Sequence, residues 1–205
     1  MLEVAELECV RGDRQLFTGL SFRVEPGSLL HVHGPNGSGK TTLLRAISGL
    51  VLEESGRILW KGEPIRQARE TYHRELLYHG HAVGLKLELS GYENLRILGR
   101  LGGFDVSATE VENAMKRLGL ARCVDLPVKV LSQGQKKRVS LARLLLQPAS
   151  LWILDEAFTA LDVAAVDLLQ QLIQSHVDEG GMVIMTTHQE VDIPAAQVQH
   201  IHLNS

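Results

Sequence analysis

Apolar and polar residues alternate in the first part of the chain. The alternation covers residues 2–10 and resumes over 16–24, which predicts two strands, the first of them at the edge of a sheet. Short apolar stretches at 29–33 and 56–62 predict two more. The chain therefore opens with a β-rich layer.

Two later stretches are apolar at almost every position. They run from Leu151 to Glu156 and from Met182 to His188, and each ends in polar residues. Such continuous runs suit central strands of a parallel sheet, which are buried on both faces. Further strands are predicted at 76–85, where the strand runs into a loop, and at 199–203.

Helical spacing dominates from Ser90 to about Gly119. Apolar residues recur there at intervals of three and four, which predicts two amphipathic helices. A capping box beginning at Ser107 marks the start of the second helix. The residues assigned to the two apolar faces are Leu95, Leu98 and Leu101 on the first helix and Val111, Ala114, Met115 and Leu118 on the second.

Other helices are predicted at 66–76, at 136–146, and from 159–162 to the glycines near 180. The helical stretch in the middle of the chain interrupts the strand pattern. We therefore predict a helical subdomain, roughly 85–145, inserted in one domain that spans residues 1–205.

Composition adds three restrictions. With 205 residues, 44% hydrophobic and 22% charged, the chain is long enough for a substantial core. The net charge of −3 and the scarcity of aromatic residues argue against a nucleic-acid partner. Cys9 and Cys123 are far apart in sequence, which favours a reduced cytoplasmic protein.

The chain shows no targeting or membrane-spanning pattern. Its N-terminus is acidic and lacks the regions of a signal peptide. No apolar run approaches the ~18 residues that a bilayer span needs. If the protein acts at a membrane, we expect another chain to cross the bilayer.

The segment after the 29–33 strand carries the strongest chemical signal. It fits G-x-x-x-x-G-K-[ST], the pattern of phosphate-binding loops. Its glycines let backbone N–H groups face phosphate oxygens, Lys40 adds a positive charge, and the Thr41 hydroxyl can hold Mg²⁺. The nucleotide-binding residues assigned here are Gly34, Pro35, Asn36, Gly37, Ser38, Gly39, Lys40, Thr41 and Thr42.

Four motifs follow one another in a characteristic order: the phosphate loop, Leu131–Gln135, Leu154–Glu156 and His188. In this order and spacing they resemble the ATP-binding domain of ABC transporters, over essentially the whole chain. The resemblance implies an α/β fold: a P-loop NTPase core with a mostly parallel central sheet, an antiparallel β layer and the inserted helical subdomain. It also implies a head-to-tail homodimer, with ATP between the phosphate loop of one copy and the signature Leu131–Gln135 of the other.

The resemblance gives roles to residues at the strand ends. Asp155 lies where ligands collect in open α/β sheets and can hold Mg²⁺ through water. Glu156 can accept a proton from the attacking water as a general base. His188 would contact the γ-phosphate. A helix cap is the structural alternative for the two carboxylates, and a lone histidine is more often structural.

The resemblance also implies a nucleotide contact from the second copy. Ser132, Gly134 and Gln135 would bind the γ-phosphate there, at the head of a helix whose dipole favours anions. Asp162 matches the loop that couples the two sites across the dimer.

Four positions depart from the family pattern. Gln133 replaces a common glycine, and Ala157 replaces the proline that usually follows the catalytic glutamate. His81 stands at the position of the loop glutamine that contacts Mg²⁺ and the lytic water, and is assigned to the catalytic group. Arg11 replaces the aromatic ring that stacks on adenine; its guanidinium plane can also stack, and a solvated turn arginine is the alternative.

Local details resemble one subgroup, the ATP-binding subunits of bacterial cytochrome c maturation. The stretches concerned are Tyr72–Leu77, Gly80-His81, Val83–Lys86, Tyr92–Leu95, Leu151–Glu156 and Thr187–Gln189. This resemblance implies ATP hydrolysis that drives haem export or release of a haem-loaded chaperone. It further implies peripheral attachment to the cytoplasmic face of the inner membrane through CcmB, CcmC and CcmD subunits. The family resemblance implies that a helix of the membrane subunit docks at the segment Val83–Leu89, where a charge at Val83 or Leu85 should weaken membrane association.

Three other functions stay open at this point. One is an ATPase subunit of a different ABC importer or exporter. Another is a soluble ABC ATPase of DNA repair or translation, although the chain has neither long coiled coils nor tandem ATPase domains. The third is a non-enzymatic haem-binding module that uses some of the nine histidines, either His73, His79 and His81 or His31 and His33.

Overall fold

The computed structural model describes residues 1–189, 191–195 and 197–203. The predicted domain of 1–205 therefore includes four residues outside the described part. Within that part, the chain forms nine strands in two sheets. The strands are β1 (Leu2–Arg11), β2 (Arg14–Val24), β3 (Ser28–His33), β4 (Ser55–Trp60), β5 (Glu63–Pro64), β6 (Leu76–His79), β7 (Leu151–Asp155), β8 (Met182–Thr186) and β9 (Gln197–His202).

The larger sheet is parallel throughout and has the order β6-β7-β8-β3-β9. Every residue of β7 and β8 is buried, as the continuous apolar runs predicted. Because all five strands run the same way, their carboxyl ends lie at one edge, where ligands bind in open α/β sheets.

The smaller sheet is antiparallel and has the order β2-β1-β4-β5. The prediction that residues 2–10 form an edge strand is wrong, because β1 lies between β2 and β4. Leu2 pairs with Val24 on one side and with Trp60 on the other. Alternation indicates which face of a strand is buried, and it carries no information about how many neighbours the strand has.

The described residues also form seven α-helices. These are α1 (Lys40–Ile47), α2 (Arg69–Arg74), α3 (Gly91–Leu101), α4 (Ala108–Arg117), α5 (Gln133–Leu141), α6 (Arg143–Leu146) and α7 (Val163–Asp178), with short 3₁₀ turns at Ala121–Cys123 and Val128–Val130. Four of the helices, α3 to α6, lie between β6 and β7 in the chain. The boundaries 85–145 for a separate subdomain stay a prediction.

Capping decides where several helices begin. Ser107 forms the predicted capping box, and Ser90 forms another at the start of α3. The helix predicted at 136–146 begins earlier, because Ser132 caps it, and it is interrupted at Ala142. The helix predicted from 159–162 starts only after Asp162, its cap.

Two predictions about helices are wrong in part: one helix is shorter than predicted, and one residue assigned to a buried face is exposed. Only Arg69–Arg74 is helical within the predicted 66–76. Leu101, assigned to the buried face of α3, is 79% exposed. It lies at the last position of the helix and about 120° around the axis from Leu95, since each residue advances the helix by about 100°. It therefore cannot share the buried face of that residue.

The parallel sheet has a hydrophobic core on each face. Leu30 and Val32 of β3 pack on the side of the antiparallel sheet and α1, and Leu29 packs on the side of α3 to α7. The predicted α/β architecture, with a parallel sheet and an antiparallel layer, is confirmed. Among the described helices, none is both long and apolar enough to cross a membrane.

A buried tyrosine connects α1 to α2. The Tyr72 hydroxyl donates a hydrogen bond of 2.7 Å to the carbonyl of Ile47, the last residue of α1. Its ring lies 5.5 Å from that of Trp60, and the Trp60 indole N–H donates to Glu75. This contact fixes the far end of the helix that follows the phosphate loop.

We predict that Tyr72→Phe lowers the free energy of unfolding by about 1–3 kcal/mol, the cost of leaving a buried hydrogen-bonding group unpaired. Urea unfolding measures the change. Tyr92→Phe is the control, because the Tyr92 hydroxyl accepts a 3.0 Å bond from Arg96 at a half-buried site. It should change stability by less than about 0.5 kcal/mol. Equal effects of the two substitutions would contradict the role given to Tyr72.

Candidate nucleotide-binding site

The loop between β3 and α1 depends on glycine at two positions. Gly34 has φ +151°, and a Cβ there would lie 2.5 Å from Ser38 Oγ and 2.7 Å from the Leu203 carbonyl. Gly39 has φ +98°, and a Cβ would come within 3.2 Å of the Phe17 ring. Only glycine lets the backbone fold this tightly, and this close turn brings N–H groups together.

Lys40 lies across this loop. Its ammonium donates to the carbonyls of Gly34 at 2.6 Å and of Pro35 at 3.0 Å, although the residue is only 8% exposed. The N-cap of α1 is Gly39, which provides no side-chain acceptor for the first helical turn. Free N–H groups, a helix dipole and an ammonium therefore occur together, a combination that suits a phosphate group.

A cavity of about 150 Å³ lies against this loop. It brings together residues from distant parts of the chain, including Arg11 from the end of β1 and Glu156 from the end of β7. The lining residues are Arg11, Leu16, Asn36, Gly37, Gly39, Lys40, Thr41, Thr42 and Glu156. The cavity thus combines most of the predicted phosphate-binding residues with the predicted adenine contact and the predicted base.

Asp155 is buried at the carboxyl end of β7, where its two oxygens differ. Oδ1 accepts a 2.8 Å hydrogen bond from the Thr186 hydroxyl, whereas Oδ2 has no hydrogen-bond partner among the described residues. A buried carboxylate oxygen without a donor is costly unless a cation or water meets it. Asp155 therefore fits the predicted Mg²⁺ role.

Glu156 has a strained backbone with φ +51°, which is rare for a residue with a side chain. Its N–H donates to both the carbonyl and the hydroxyl of Thr186, and its carbonyl accepts a 3.1 Å bond from Lys137. Such strain persists where surrounding contacts enforce it, and it clusters at functional sites. Here the left-handed backbone conformation is found at a residue whose half-buried side chain lines the cavity.

Two histidines approach the Glu156 carboxylate. His188 Nε2 lies 3.3 Å from Oε1, and His81 Nδ1 lies 3.9 Å from Oε2. The two predicted catalytic histidines are therefore both next to the predicted base, although they come from loops more than a hundred residues apart. A carboxylate between two imidazoles can exchange protons or orient a water molecule.

Sequence reasoning missed Lys137 and Thr186, which hold these groups in place. Lys137 is buried in α5 and reaches the Glu156 carbonyl; burial lowers the pKa of its ammonium, while Asp155 and Glu156 act against that change. The sequence gives no sign that Lys137, rather than neighbouring Lys136, points inward. Thr186 could have been noticed as the first polar residue at the end of a buried apolar strand.

The signature residues lie outside the cavity. Ser132 is exposed and caps α5, accepting from the Gln135 N–H at 3.2 Å, while the Gln135 side chain accepts from the Ser132 N–H at 2.8 Å. A Cβ on Gly134 would lie 3.1 Å from the Ala160 carbonyl. The structure thus presents the head of α5 at the surface.

Asp162 acts as the N-cap of α7 in this structure. One carboxylate oxygen accepts a 2.9 Å bond from the Ala165 N–H, and the other lies 3.9 Å from the Arg138 guanidinium. This is the helix-capping role that any aspartate can fill. The predicted coupling role across a dimer stays a prediction.

Comparison with known proteins identifies similar chains. Residues 17–159 match the ABC transporter family. The chain is 50% identical to the cytochrome c biogenesis ATP-binding export protein CcmA of Nitrosospira multiformis, over 98% of both chains. It is 46% identical to the protein of the same name from Escherichia coli O157:H7, over 99% of this chain and 96% of the relative.

Solved structures agree with the fold. An ABC transporter ATP-binding protein from Pyrococcus furiosus superposes with a TM-score of 0.83 at 27% identity, covering 97% of this chain and 96% of the other. A bacterial ABC transporter cassette solved as a dimer superposes with a TM-score of 0.85, over 100% of this chain and 94% of the other. At 19% identity, the second supports the fold alone.

We predict that Arg11→Ala weakens ATP binding roughly 2- to 30-fold, the equivalent of a stacking energy of about 0.5–2 kcal/mol. Calorimetry measures the affinity, and Arg11→Tyr should restore it. Arg14→Ala is the matched control, because Arg14 pairs with Arg11 across the same turn but does not line the cavity. Equal affinities of wild type and Arg11→Ala would make Arg11 a solvated turn arginine.

Proposed function

Because the chain belongs to the ABC transporter family, we propose that it binds ATP in the cavity beside the phosphate loop and hydrolyses it. The observation that carries this proposal is the position of the Glu156 carboxylate. It lines the same cavity as Lys40 and Thr41 and lies within 3.3 Å of the His188 imidazole. The proposed phosphate-binding loop and the proposed base thus line the same cavity.

The chain offers a separate group for each part of the substrate. The loop N–H groups and the Lys40 ammonium would bind the β- and γ-phosphates, and Arg11 would stack on adenine. The Thr41 hydroxyl and Asp155 would hold Mg²⁺, which when bound offsets phosphate charge. The unpaired Asp155 Oδ2 supports that choice, since carboxylate oxygen suits this cation.

Hydrolysis requires a water molecule to attack the γ-phosphorus as the bond to the β-phosphate oxygen breaks. Glu156 would orient this water and accept its proton, which leaves ADP and inorganic phosphate. His188 would contact the γ-phosphate and the carboxylate together. His81 would orient the same water from the other side of the carboxylate, in place of the usual glutamine.

A second copy would complete the site. Ser132 is exposed, Gly134 and Gln135 are half-buried, and none of the three lines the cavity of its own chain. In a head-to-tail homodimer, the head of α5 would meet the γ-phosphate bound by the partner. Asp162 would lie near the junction of the two sites, beside Arg138.

The transport role follows from the subgroup. Relatives at 46–50% identity over nearly their whole length are cytochrome c biogenesis ATP-binding export proteins. We infer that this chain powers haem export, or release of a haem-loaded chaperone, during cytochrome c biogenesis. It would attach peripherally to the cytoplasmic face of the inner membrane through subunits of the CcmB, CcmC and CcmD type.

The docking segment Val83–Leu89 stays a prediction, and its positions differ in how well they suit a test. Val83 and Leu85 were expected to make the contact, but both are half-buried; the Val83 carbonyl accepts from Ser140, and Leu85 packs on the core. A charge at Leu85 would therefore disturb packing against the core as well as any contact with a partner. Leu87 and Val130 are 45% and 62% exposed, and their segments are joined by a bond from the Lys129 N–H to the Leu87 carbonyl.

We predict that Glu156→Gln binds ATP with unchanged affinity but hydrolyses it at least about a hundredfold more slowly, because an amide cannot accept the proton. Phosphate release and nucleotide affinity are measured on the same preparation, and gel filtration should show an ATP-bound dimer. Lys40→Ala should instead lose affinity.

Glu112→Gln is the control for this test, since Glu112 is an exposed glutamate on α4. It should hydrolyse ATP as wild type does. Normal turnover by a monomeric Glu156→Gln protein would contradict both the assigned base and the proposed dimer.

We predict that Leu87→Glu lowers recovery of the chain with its membrane-spanning subunits while leaving its own ATPase rate unchanged. The new charge faces solvent in the free chain and would be buried at the contact. Co-purification from detergent-solubilised membranes measures recovery. Leu52→Glu is the control, since Leu52 is 74% exposed elsewhere. Equal recovery of both variants would exclude this surface.

A further inference from the structure

Four histidines lie side by side on β3 and β9. The parallel register pairs His31 with His200 and His33 with His202. Residues two apart on a strand face the same side, so all four imidazoles lie on one face of the sheet. The sequence suggests His31 and His33 as candidate ligands. It does not show that the last strand pairs with the strand that carries them.

Three of the four imidazoles converge. One ring nitrogen from each of His31, His33 and His200 lies within 4.8 Å of the others. His33 Nε2 and His200 Nδ1 are 2.9 Å apart, so one donates a hydrogen bond to the other. The His33 and His202 rings stack with centroids 4.8 Å apart. Such a group differs from scattered surface histidines, which do not share a common centre.

His31 provides an independent sign of a ligand. It is 8% exposed, and its Nε2 is buried without a hydrogen-bond partner in the described part of the chain. A buried nitrogen without a partner is unfavourable unless something binds it. The residue that carries this nitrogen is a member of the same three-histidine cluster.

We propose that His31, His33 and His200 form a binding site for a late first-row divalent cation of the Zn²⁺ type, with His202 as the neighbouring fourth imidazole. Imidazole suits Zn²⁺, Cu²⁺ and Ni²⁺, whereas Mg²⁺ and Ca²⁺ prefer oxygen. Two nitrogens at ~2.1 Å from a tetrahedral zinc lie about 3.4 Å apart. The three nitrogens lie within 4.8 Å of one another, so they would have to move closer together to bind one ion.

Two of the three imidazoles, those of His31 and His33, have a lowered pKa. Burial, with His33 and His200 nearby, lowers the pKa of His31 to about 4. Burial also lowers the pKa of His33, with contributions from His202 and His200. Neutral imidazole is the metal-binding form.

A bare cation explains the cluster better than haem does. Haem iron takes its protein ligands along one axis, above and below a flat macrocycle. Here three ring nitrogens lie within 4.8 Å of one another, whereas haem iron has only two axial positions for protein ligands. The inference concerns metal binding alone and does not depend on the proposed ATPase activity.

Such a cation would connect β9 to the phosphate loop. Among the described strands, β9 pairs with β3 alone and lies at the sheet edge. His33 immediately precedes Gly34, and its carbonyl accepts a 2.9 Å bond from the Leu203 N–H. A metal bridge between the strands would stabilise the edge at the point where the loop begins.

The test is calorimetric titration of the tag-free, EDTA-dialysed full chain with Zn²⁺, without nucleotide. We expect one ion per chain and a rise in Tm on binding. His200→Ala should weaken binding at least about tenfold, since removal of even an outer-shell partner costs 10–100-fold. His200 is exposed, so the variant should fold; circular dichroism checks this.

His73→Ala is the matched control, because His73 is exposed on α2 outside the cluster. It should bind Zn²⁺ as wild type does. Two results would overturn the proposal. One is equal Zn²⁺ affinity of wild type and His200→Ala. The other is a haem Soret shift that depends on His200 in a chain that takes up no Zn²⁺.

Discussion

Parallel pairing of β3, β7 and β8 is the constraint from which the site follows. It places the carboxyl ends of three strands at one edge of the sheet, and each end supplies a different group. β3 leads into the phosphate loop, β7 ends in two carboxylates, and β8 ends in Thr186. The Thr186 hydroxyl donates to the Asp155 carboxylate and accepts from the Glu156 N–H. One side chain therefore fixes both the Asp155 carboxylate and the backbone of Glu156.

The residues at this edge can be predicted from the sequence because each motif lies within one short segment of the chain. A phosphate loop needs glycine at particular steps, and strands buried on both faces need continuous apolar runs, so the loop, β7 and β8 can all be predicted. The neighbours of a strand are not a local property. For that reason β1 was placed at an edge, although β4 pairs with it. Leu101 was wrongly predicted to be buried, because the spacing of apolar residues does not show which end of a helix extends beyond the core.

The side chains that support the site were harder to predict than those that perform chemistry. Lys137 acts through the Glu156 carbonyl, and such a contact leaves no mark on spacing or composition. The convergence of His31 and His33 with His200 likewise depends on a pairing between strands more than 150 residues apart. Motifs identify chemistry within one segment, whereas cooperation between segments is visible only in three dimensions.

The left-handed backbone of Glu156 has a consequence for protein evolution. A residue with a side chain adopts this conformation at a cost of about 1–3 kcal/mol, which glycine would largely avoid. The most stable residue for this position is therefore one without a carboxylate. With the proposed role of Glu156 as base, activity and thermodynamic stability oppose each other at this position, and stabilising contacts elsewhere would compensate for keeping a glutamate.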